Sequence, residues 1–187
     1  MVDSETRWRI VRKLRQRPEK SELEILVRDA TQSDLPQVKD IYNFFIQNTV
    51  ITFDDSPHDL GFWQEKFEHL SKLGFPFLVM TRGAEVLGFA YVSPWRQRTG
   101  HMKIVENQIY LAPAATGKKL GSRLMQELLS ACRDFGIKEV IAVIADRGAG
   151  ASLALHKKHG FTEQGHLANV AQRFGRPIGS HLFSLKL

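Results

Sequence analysis

The sequence contains one cysteine, no long apolar run and no internal repeat, and these absences limit what the chain can be. Cys132 is the only cysteine among 187 residues, so an internal disulfide is excluded and no cysteine-based metal site is indicated. We therefore expect a reducing, cytoplasmic compartment and no bound metal. No apolar stretch approaches the roughly 20 residues of a membrane span, and the first residues lack the apolar core of a signal peptide. We expect neither a membrane span nor secretion, and the length suits one domain with a substantial core.

The net charge of +6 is concentrated near the N-terminus. Residues 1–20 contain seven Lys or Arg and three Asp or Glu, a balance of +4, which leaves +2 for the rest of the chain. We interpret residues 1–22 as a basic, loosely attached extension and residues 23–187 as the domain. Trp8, Val11 and Leu14 recur at threes in the extension, so it could instead form a short amphipathic helix that docks on the domain or on an anionic surface. Because the charge lies in a tail rather than on a folded face, nucleic acid is not the expected partner.

Hydrophobic periodicity predicts the element order β, α, α, β, β, β, α, β, α, β, β. Hairpins among the early strands and helices between the later ones indicate an α+β (mixed α/β) single domain. We expect a central mixed, largely antiparallel sheet flanked by helices. The predicted strands are 24–30, 75–81, 85–95, 104–111, 138–145, a strand from 161 and 181–187. The predicted helices are 35–48, 59–73, 117–135 and 151–159. Asp34 is predicted to cap the first helix, in a capping box with Gln37.

The most informative stretch is the strand, short loop and helix of residues 104–135. Gly117 is predicted to open the helix, whose apolar residues recur at threes and fours. Free backbone N–H groups and the helix dipole favour an anion before such a helix, and Lys118, Lys119 and Arg123 add positive charge. The alternative is an ordinary strand–helix connection with a solvated basic first turn.

Several short motifs, in their order and spacing, resemble the GNAT N-acetyltransferase superfamily. Within it they resemble the phosphinothricin and methionine sulfone/sulfoximine acetyltransferase branch, and the resemblance spans about residues 25–187. The matching stretches are Asp34-Leu-Pro, Ile41-Tyr42-Asn43, Thr52-Phe53-Asp54, Arg96-Gln97-Arg98, Val105-Glu106, Ile109-Tyr110, residues 152–156 (SLALH), Gly160-Phe161 and Arg173-Phe174-Gly175-Arg176.

The resemblance implies transfer of an acetyl group from acetyl-CoA to the amino group of a small, amino-acid-like substrate, in a homodimer. It places the cosubstrate in a gap between two central strands, with its pyrophosphate on the turn that precedes the central helix. The cofactor-binding residues implied in this way are Ile109, Tyr110, Leu111, Thr116, Gly117, Lys118, Lys119, Leu120, Gly121 and Ser152. Ser152 can also simply cap or pack its own helix.

Five further residues are candidates for the chemistry. Glu106 is a carboxylate on an apolar strand, so burial would raise its pKa and suit it to general-base work; the alternative is a strand-end Glu that faces solvent or pairs with an arginine. Arg96 and Arg98 could hold a substrate carboxylate or sulfone oxygen, or could form a solvated turn. Phe53 is either a pocket wall or a core residue. His156 is either a catalytic or positioning residue, as the resemblance implies, or a packed core histidine.

The chain departs from the family pattern at three places. Thr116 and Lys119 stand where the turn usually has Arg or Gln and a Gly, Ala149 stands where an Asn is common, and Pro177 and Gly179 stand where the branch usually has Trp and Asp. A side chain at position 119 either obstructs the approach of the backbone to a phosphate or neutralises the phosphate with its charge. The alternative function is therefore a degenerate, non-catalytic domain of this fold that binds a small molecule or a protein partner.

Overall fold

The computed structural model describes residues 23–96 and 103–187, so the predicted extension of residues 1–22 lies outside the described residues. The element order is the predicted one. The strands are β1 (Ile25–Asp29), β2 (Phe77–Arg82), β3 (Glu85–Pro94), β4 (Ile104–Leu111), β5 (Glu139–Ala145), β6 (Thr162–Arg173) and β7 (Arg176–Lys186); the helices are α1 (Leu35–Asn48), α2 (Leu60–Leu73), α3 (Leu120–Asp134) and α4 (Gly150–Lys158). Among these described residues, no helix is long and apolar enough to cross a membrane.

The seven strands form one sheet in the order β1-β2-β3-β4-β5-β7-β6. Every neighbouring pair is antiparallel except β4 and β5, which are parallel. The predicted mixed, largely antiparallel sheet is confirmed. Successive residues of β2 and β3 are buried, which shows that both faces of this part of the sheet are covered.

The apolar stripe predicted on the central helix forms the middle of the core. On α3, Leu124, Met125, Leu128 and Cys132 are fully buried. Burial raises the pKa of the Cys132 thiol to about 12, so this cysteine behaves as a small apolar side chain. The helix packs on β2, β3 and β4 and so fixes the turn at its own N-terminus relative to the central strands.

The predicted start of the central helix at Gly117 is wrong. The helix begins at Leu120, because Gly117 and Lys119 have φ values of 76° and 61°, in the left-handed region that an α-helix excludes. The predicted terminal strand of residues 181–187 is also too short. The β6–β7 turn consists of Phe174 and Gly175, both with positive φ, and β7 starts at Arg176.

The capping box predicted from Asp34 and Gln37 is also wrong. The Asp34 carboxylate accepts hydrogen bonds from the Arg28 guanidinium and from Thr31, and the Arg28 bond lowers the pKa of Asp34 to about 2. The Gln37 side chain instead donates to the Ala84 carbonyl and accepts from the Val86 N–H, each at 2.9 Å. It thereby ties α1 to the β2–β3 hairpin, a contact between residues that lie far apart in the sequence.

Candidate active site

The only parallel strand pair in the described sheet is short and then opens. β4 and β5 pair only through Ile104–Glu106 and Glu139–Ile141, although β4 continues to Leu111 and β5 to Ala145. The edges of the two strands therefore face each other unpaired beyond Glu106. Buried backbone N–H and C=O groups need partners, so this gap suits an extended ligand with amide groups of its own. A cavity of about 70 Å³ lies there, lined by Ile51, Asn107, Gln108, Ile109, Tyr110, Ala142, Val143, Ile144, Ala145, Ala149, Ser152 and His156.

A larger cleft of about 400 Å³ shares Ile51, Ile109, Tyr110 and Ser152 with this cavity and extends to the N-terminus of α3. The structure brings nine of the ten predicted cofactor-binding residues together here. They are Ile109, Tyr110, Leu111, Thr116, Gly117, Lys119, Leu120, Gly121 and Ser152. Lys118 is not among the lining residues; its ammonium group lies 3.3 Å from the Ala114 carbonyl oxygen.

The turn before α3 presents backbone donors to the cleft. Lys119 occupies the N-cap position with φ 61°, and its carbonyl accepts from the N–H groups of Ser122 and Arg123. The N–H groups of Leu120 and Gly121 have no hydrogen-bond partner among the described residues. Free N–H groups at a helix N-terminus favour an anion, so the arrangement fits a phosphate group.

Two lysines add positive charge to the wall of this cleft. Lys119 comes from the turn, and Lys158 comes from the end of α4. The Lys158 ammonium group donates to the Ser122 hydroxyl at 3.0 Å, which brings it to the first turn of α3. The sequence reasoning missed Lys158. Its only signal was a pair of lysines just after His156, and nothing in the sequence showed that α4 ends beside the start of α3.

Glu106 lies half-buried on β4 at the point where β4 and β5 separate. Burial raises the pKa of its carboxyl group, which is the shift expected from the sequence. A hydrogen bond from the Gln108 amide at 3.0 Å and the positive charge of Lys66 oppose this shift. Glu106 is therefore a partly desolvated carboxyl group with a raised pKa, which suits a general base.

Lys66 on α2 is the second residue that the sequence reasoning missed. Its ammonium nitrogen lies 4.9 Å from the centroid of the Phe62 ring and 5.3 Å from that of the Tyr91 ring. Burial lowers its pKa, and the charges of Asp54 and Glu106 oppose that shift. The signal was available, because Lys66 interrupts the apolar stripe of α2 three residues after the buried Trp63.

Asp54 accepts two hydrogen bonds on the loop between α1 and α2. The Tyr42 hydroxyl donates to Oδ2, and His58 Nε2 lies 3.0 Å from the same oxygen. Burial alone would raise the pKa of Asp54, but these hydrogen bonds outweigh it and hold the pKa below its usual value. The loop that carries Phe53 is thus anchored to α1 through the residue that follows Phe53.

His156 is buried, and both of its ring nitrogens have partners. Nδ1 lies 2.8 Å from the Ser152 carbonyl oxygen, and Nε2 lies 3.0 Å from the Asn107 amide nitrogen. These partners assign the tautomer in which Nδ1 donates and Nε2 accepts. Burial lowers the pKa of the imidazole, which favours this neutral form. The Asn107 side-chain oxygen has no partner in the described part of the chain, and Asn107 lines the small cavity.

The predicted substrate-binding residues are only partly described. Arg96 is exposed just beyond β3, and its guanidinium carbon lies 5.8 Å from the centroid of the Trp95 ring. Arg98 lies outside the described residues. Phe53 is 37% exposed on the α1–α2 loop, which argues against the alternative that it is a core residue.

One of the three departures from the family pattern has a local explanation, at Gly179. A Cβ at position 179 would lie 2.5 Å from the Asp146 carboxylate and 2.5 Å from the Leu167 carbonyl oxygen, so only glycine fits. Lys119 adopts the positive φ for which a glycine is the usual choice. Ala149 is the buried N-cap of α4 and lines the small cavity, and it provides no side-chain cap.

Comparison with known proteins places these features in a family. The family model described as acetyltransferase (GNAT) family matches residues 38–161. An L-methionine sulfoximine/L-methionine sulfone acetyltransferase from Pseudomonas paraeruginosa is 36% identical over 162 residues, which cover 86% of this chain and 94% of the relative. A phosphinothricin N-acetyltransferase from Alcaligenes faecalis is 32% identical over 161 residues, 86% of this chain and 82% of the relative.

A solved structure gives the same result for the fold. The crystal structure of a GNAT superfamily phosphinothricin acetyltransferase from Sinorhizobium meliloti, in complex with acetyl-CoA, superimposes with a TM-score of 0.82 and 33% identity. The match covers 87% of this chain and 88% of that chain. The predicted fold class and the predicted resemblance are both confirmed, and the chain belongs to the GNAT acetyltransferase family.

Proposed function

We propose that this protein transfers an acetyl group from acetyl-CoA to the amino group of a small, amino-acid-like substrate of the methionine sulfone, methionine sulfoximine or phosphinothricin type. The observation that carries this proposal is the position of Glu106. Its half-buried carboxylate lies where β4 and β5 separate, and the next two residues, Asn107 and Gln108, line the small cavity in that gap. The names of the relatives support the substrate class.

The described residues fit acetyl-CoA, which supplies an activated acetyl thioester when it is bound. The N–H groups of Leu120 and Gly121 and the charges of Lys119 and Lys158 suit the phosphates. The unpaired edges of β4 and β5 suit the amide-containing arm that connects the phosphates to the thioester. Within residues 23–96 and 103–187, no group of three or more His, Cys, Asp or Glu side chains could hold a metal ion.

Glu106 acts in this proposal as the general base. An amine attacks the thioester carbonyl only in its neutral form, so a proton must leave the substrate nitrogen as the C–N bond forms and the C–S bond breaks. Glu106 accepts that proton directly or through one water. Its raised pKa strengthens it as a base, and the positive charge of Lys66 favours its ionised form.

His156 has a positioning role in this proposal. Its two hydrogen bonds hold the Asn107 side chain and the first turn of α4 beside the gap. Donation of a proton to the departing thiolate would require one of these bonds to break, and the lowered pKa disfavours the protonated ring. Ser152 lies in the same turn and contributes to the wall of the cleft.

Arg96, together with Arg98, is proposed to bind the carboxylate or the oxidised sulfur or phosphorus group of the substrate. Arg96 follows β3 three residues after Ser93, which pairs with Glu106 across the sheet, so Arg96 lies near the same end of β4 as the base. Phe53 is proposed to form an apolar wall, because it is partly exposed on the loop that Asp54 anchors.

A homodimer and a cytoplasmic location complete the proposal. Strand β6 is a sheet edge with two large exposed apolar residues, Leu167 and Val170, and a third, Phe174, follows in the β6–β7 turn. A second copy of the chain could cover this edge by pairing its own β6 with it. An uncovered edge strand tends to aggregate, because its backbone N–H and C=O groups are free to pair with other chains. Light scattering on Leu167→Lys should then report a monomer. The cytoplasm supplies acetyl-CoA and keeps the Cys132 thiol reduced.

The test is a titration of the purified protein with acetyl-CoA, followed by an assay of thiol release with methionine sulfone, methionine sulfoximine and phosphinothricin. Acetyl-CoA at 100 times its Kd should stabilise the fold by about 2.7 kcal/mol. Release of free thiol that depends on one of the three amines would support the proposed reaction. Binding without turnover of any small amine would favour the degenerate domain instead, and no stabilisation at millimolar acetyl-CoA would overturn the cosubstrate assignment.

A further inference from the structure

Arg173, the last residue of β6, is buried on a strand that is otherwise open to solvent. Residues 162–170 and Gln172 are exposed, whereas the Arg173 side chain is only 4% exposed. Arginine is almost never buried so completely unless its charge has partners. The position of this guanidinium group therefore requires an explanation beyond the sheet itself.

The partners of Arg173 lie on α1 and on the α1–α2 loop. Nη2 donates to the Ile46 carbonyl oxygen, one of the last carbonyls of α1 that lack a partner within the helix. Nη1 lies 3.2 Å from the Asp55 carboxylate. A cation at a helix C-terminus also interacts favourably with the helix dipole. One side chain thus joins the β6–β7 hairpin to two points that are 118 and 127 residues away in sequence.

The hairpin tip beside Arg173 carries backbone strain. Phe174 has φ 47°, a conformation that is unfavourable for an aromatic residue, and its ring centroid lies 4.9 Å from the Arg173 guanidinium carbon. The strained conformation places the Phe174 ring against the guanidinium group. Such strain persists only where surrounding contacts hold it, and the contacts of Arg173 provide them.

The loop that Arg173 contacts carries the proposed acceptor wall. Asp55 directly follows Asp54, and Asp54 is bound by Tyr42 and His58. The loop therefore has two anchors on adjacent residues, one within its own neighbourhood and one from the distant hairpin. Regular secondary structure is absent between Thr49 and Asp59, so side-chain contacts position this loop; two hydrogen bonds between the Asn43 amide and the His58 backbone add to those of Asp54 and Asp55.

We propose that Arg173 is a positioning residue for the amine substrate: by joining the β6–β7 hairpin to the end of α1 and to Asp55, it fixes the loop that carries Phe53 and Asp54. This inference rests on the proposed acetyl transfer to an amine. It assigns Arg173 no contact with the reacting atoms. It leaves most of the acetyl-CoA cleft unaffected: of the two elements that Arg173 fixes, only Phe45 and Ile51 line that cleft, and the proposed phosphate-binding end of the cleft lies on the turn before α3.

The test compares Arg173→Met, Arg173→Lys and Asp55→Ala with Arg176→Met, a matched loss of an exposed arginine from the same hairpin. Arg173→Met should raise the KM for the amine about tenfold, equivalent to about 1.4 kcal/mol, with an unchanged Kd for acetyl-CoA. Arg173→Lys should restore part of the affinity, since an ammonium group keeps the charge but lacks the planar fork whose two nitrogens reach the two partners. Asp55→Ala should give a smaller rise in the same direction, and Arg176→Met should give none.

Two results would overturn the inference. One is an unchanged amine KM in Arg173→Met and in Asp55→Ala, even if Arg173→Met lowers the melting temperature. The other is a loss of acetyl-CoA affinity equal to the loss of amine affinity. Asp55 is 83% exposed, so its variant should fold even if Arg173→Met does not. If the parent binds acetyl-CoA but acetylates no small amine, the proposed function fails. The positioning role of Arg173 can then still be tested by amide hydrogen exchange in the α1–α2 loop. Faster exchange in residues 49–59 of Arg173→Met than of Arg176→Met supports its positioning role, and equal exchange refutes it.

Discussion

Substitutions of Lys119 can separate the effect of backbone strain on stability from the effect of charge on acetyl-CoA binding, because this residue has a left-handed backbone and also lines the cleft. Its φ of 61° is unfavourable for a side chain with a Cβ by about 1–2 kcal/mol. Glycine removes this strain but loses about 0.5–1 kcal/mol in chain entropy. Lys119→Gly should therefore stabilise the fold by about 0.5–1 kcal/mol, which is a rise of about 1–4 °C in Tm for a chain of this size. Lys119→Ala keeps the strain and should leave Tm near that of the parent.

The same two variants should behave alike towards acetyl-CoA. Both remove one positive charge from the wall of the cleft. A solvated charge pair at 4 Å is worth about 1 kcal/mol, so each variant should bind acetyl-CoA about fivefold more weakly at low salt. The difference should shrink as salt rises, because the lost interaction is Coulombic. Calorimetry at two salt concentrations measures this, with Lys138→Ala, an exposed lysine at the start of β5, as the control for net charge.

Three results with the Lys119 variants would each contradict a different expectation. A Tm for Lys119→Gly below that for Lys119→Ala would show that the left-handed backbone carries no strain, because only the entropy cost of glycine would then remain. An acetyl-CoA affinity equal to that of the parent in both variants would show that the ammonium group does not face the phosphates. Tighter binding by Lys119→Gly would show that the lysine obstructs the turn rather than compensating for a missing glycine.

Three further predictions concern titrating side chains. Glu106→Gln should lower kcat by about 10²–10⁴. Its Tm at pH 7 should equal or exceed that of the parent, because the pKa of Glu106 is raised in the fold and the ionised carboxylate is unfavourable there. An unchanged kcat would remove Glu106 from the mechanism. Lys66→Met should move the acidic limb of the kcat/KM pH profile to higher pH, because it removes a cation that lowers the pKa of Glu106. Lys66→Arg keeps the charge and should leave the limb at the same pH. Asp34→Asn should cost about 1–2 kcal/mol at pH 7. Because the pKa of Asp34 is lowered to about 2, the difference in the free energy of unfolding between parent and variant should begin to narrow below pH 4 and close near pH 2. Chemical denaturation at a series of pH values measures this difference. A difference that stays constant with pH would show that the Arg28 contact is unimportant.

The sequence predicted the elements well because their signals are local. The stripe on α3 is a property of a few neighbouring residues, and it was confirmed. The helix start at Gly117 failed for a related reason. A glycine near a helix start looks like part of the helix, and only the backbone angles show that residues 117–119 form a separate turn.

The contacts of the site could be predicted only where a resemblance supplied them. Nothing in the sequence indicates that Gln37 reaches the hairpin at Ala84, that Lys158 approaches Ser122, or that Arg173 reaches Ile46. Each of these contacts depends on the packing of elements that are distant in the sequence. Lys66 is an intermediate case, since a charge within an apolar stripe was visible, but the carboxylates that it faces were not.

The short ladder between β4 and β5 also has a consequence for how the molecule opens. It divides the sheet into a four-stranded part, β1 to β4, and a three-stranded part, β5 to β7, which only three residue pairs join directly. Cooperative opening units follow such weak boundaries, so the two parts should exchange their amide hydrogens as separate units. A ligand that bonds to both free edges would act as an additional strand, and it would make one cooperative sheet out of two.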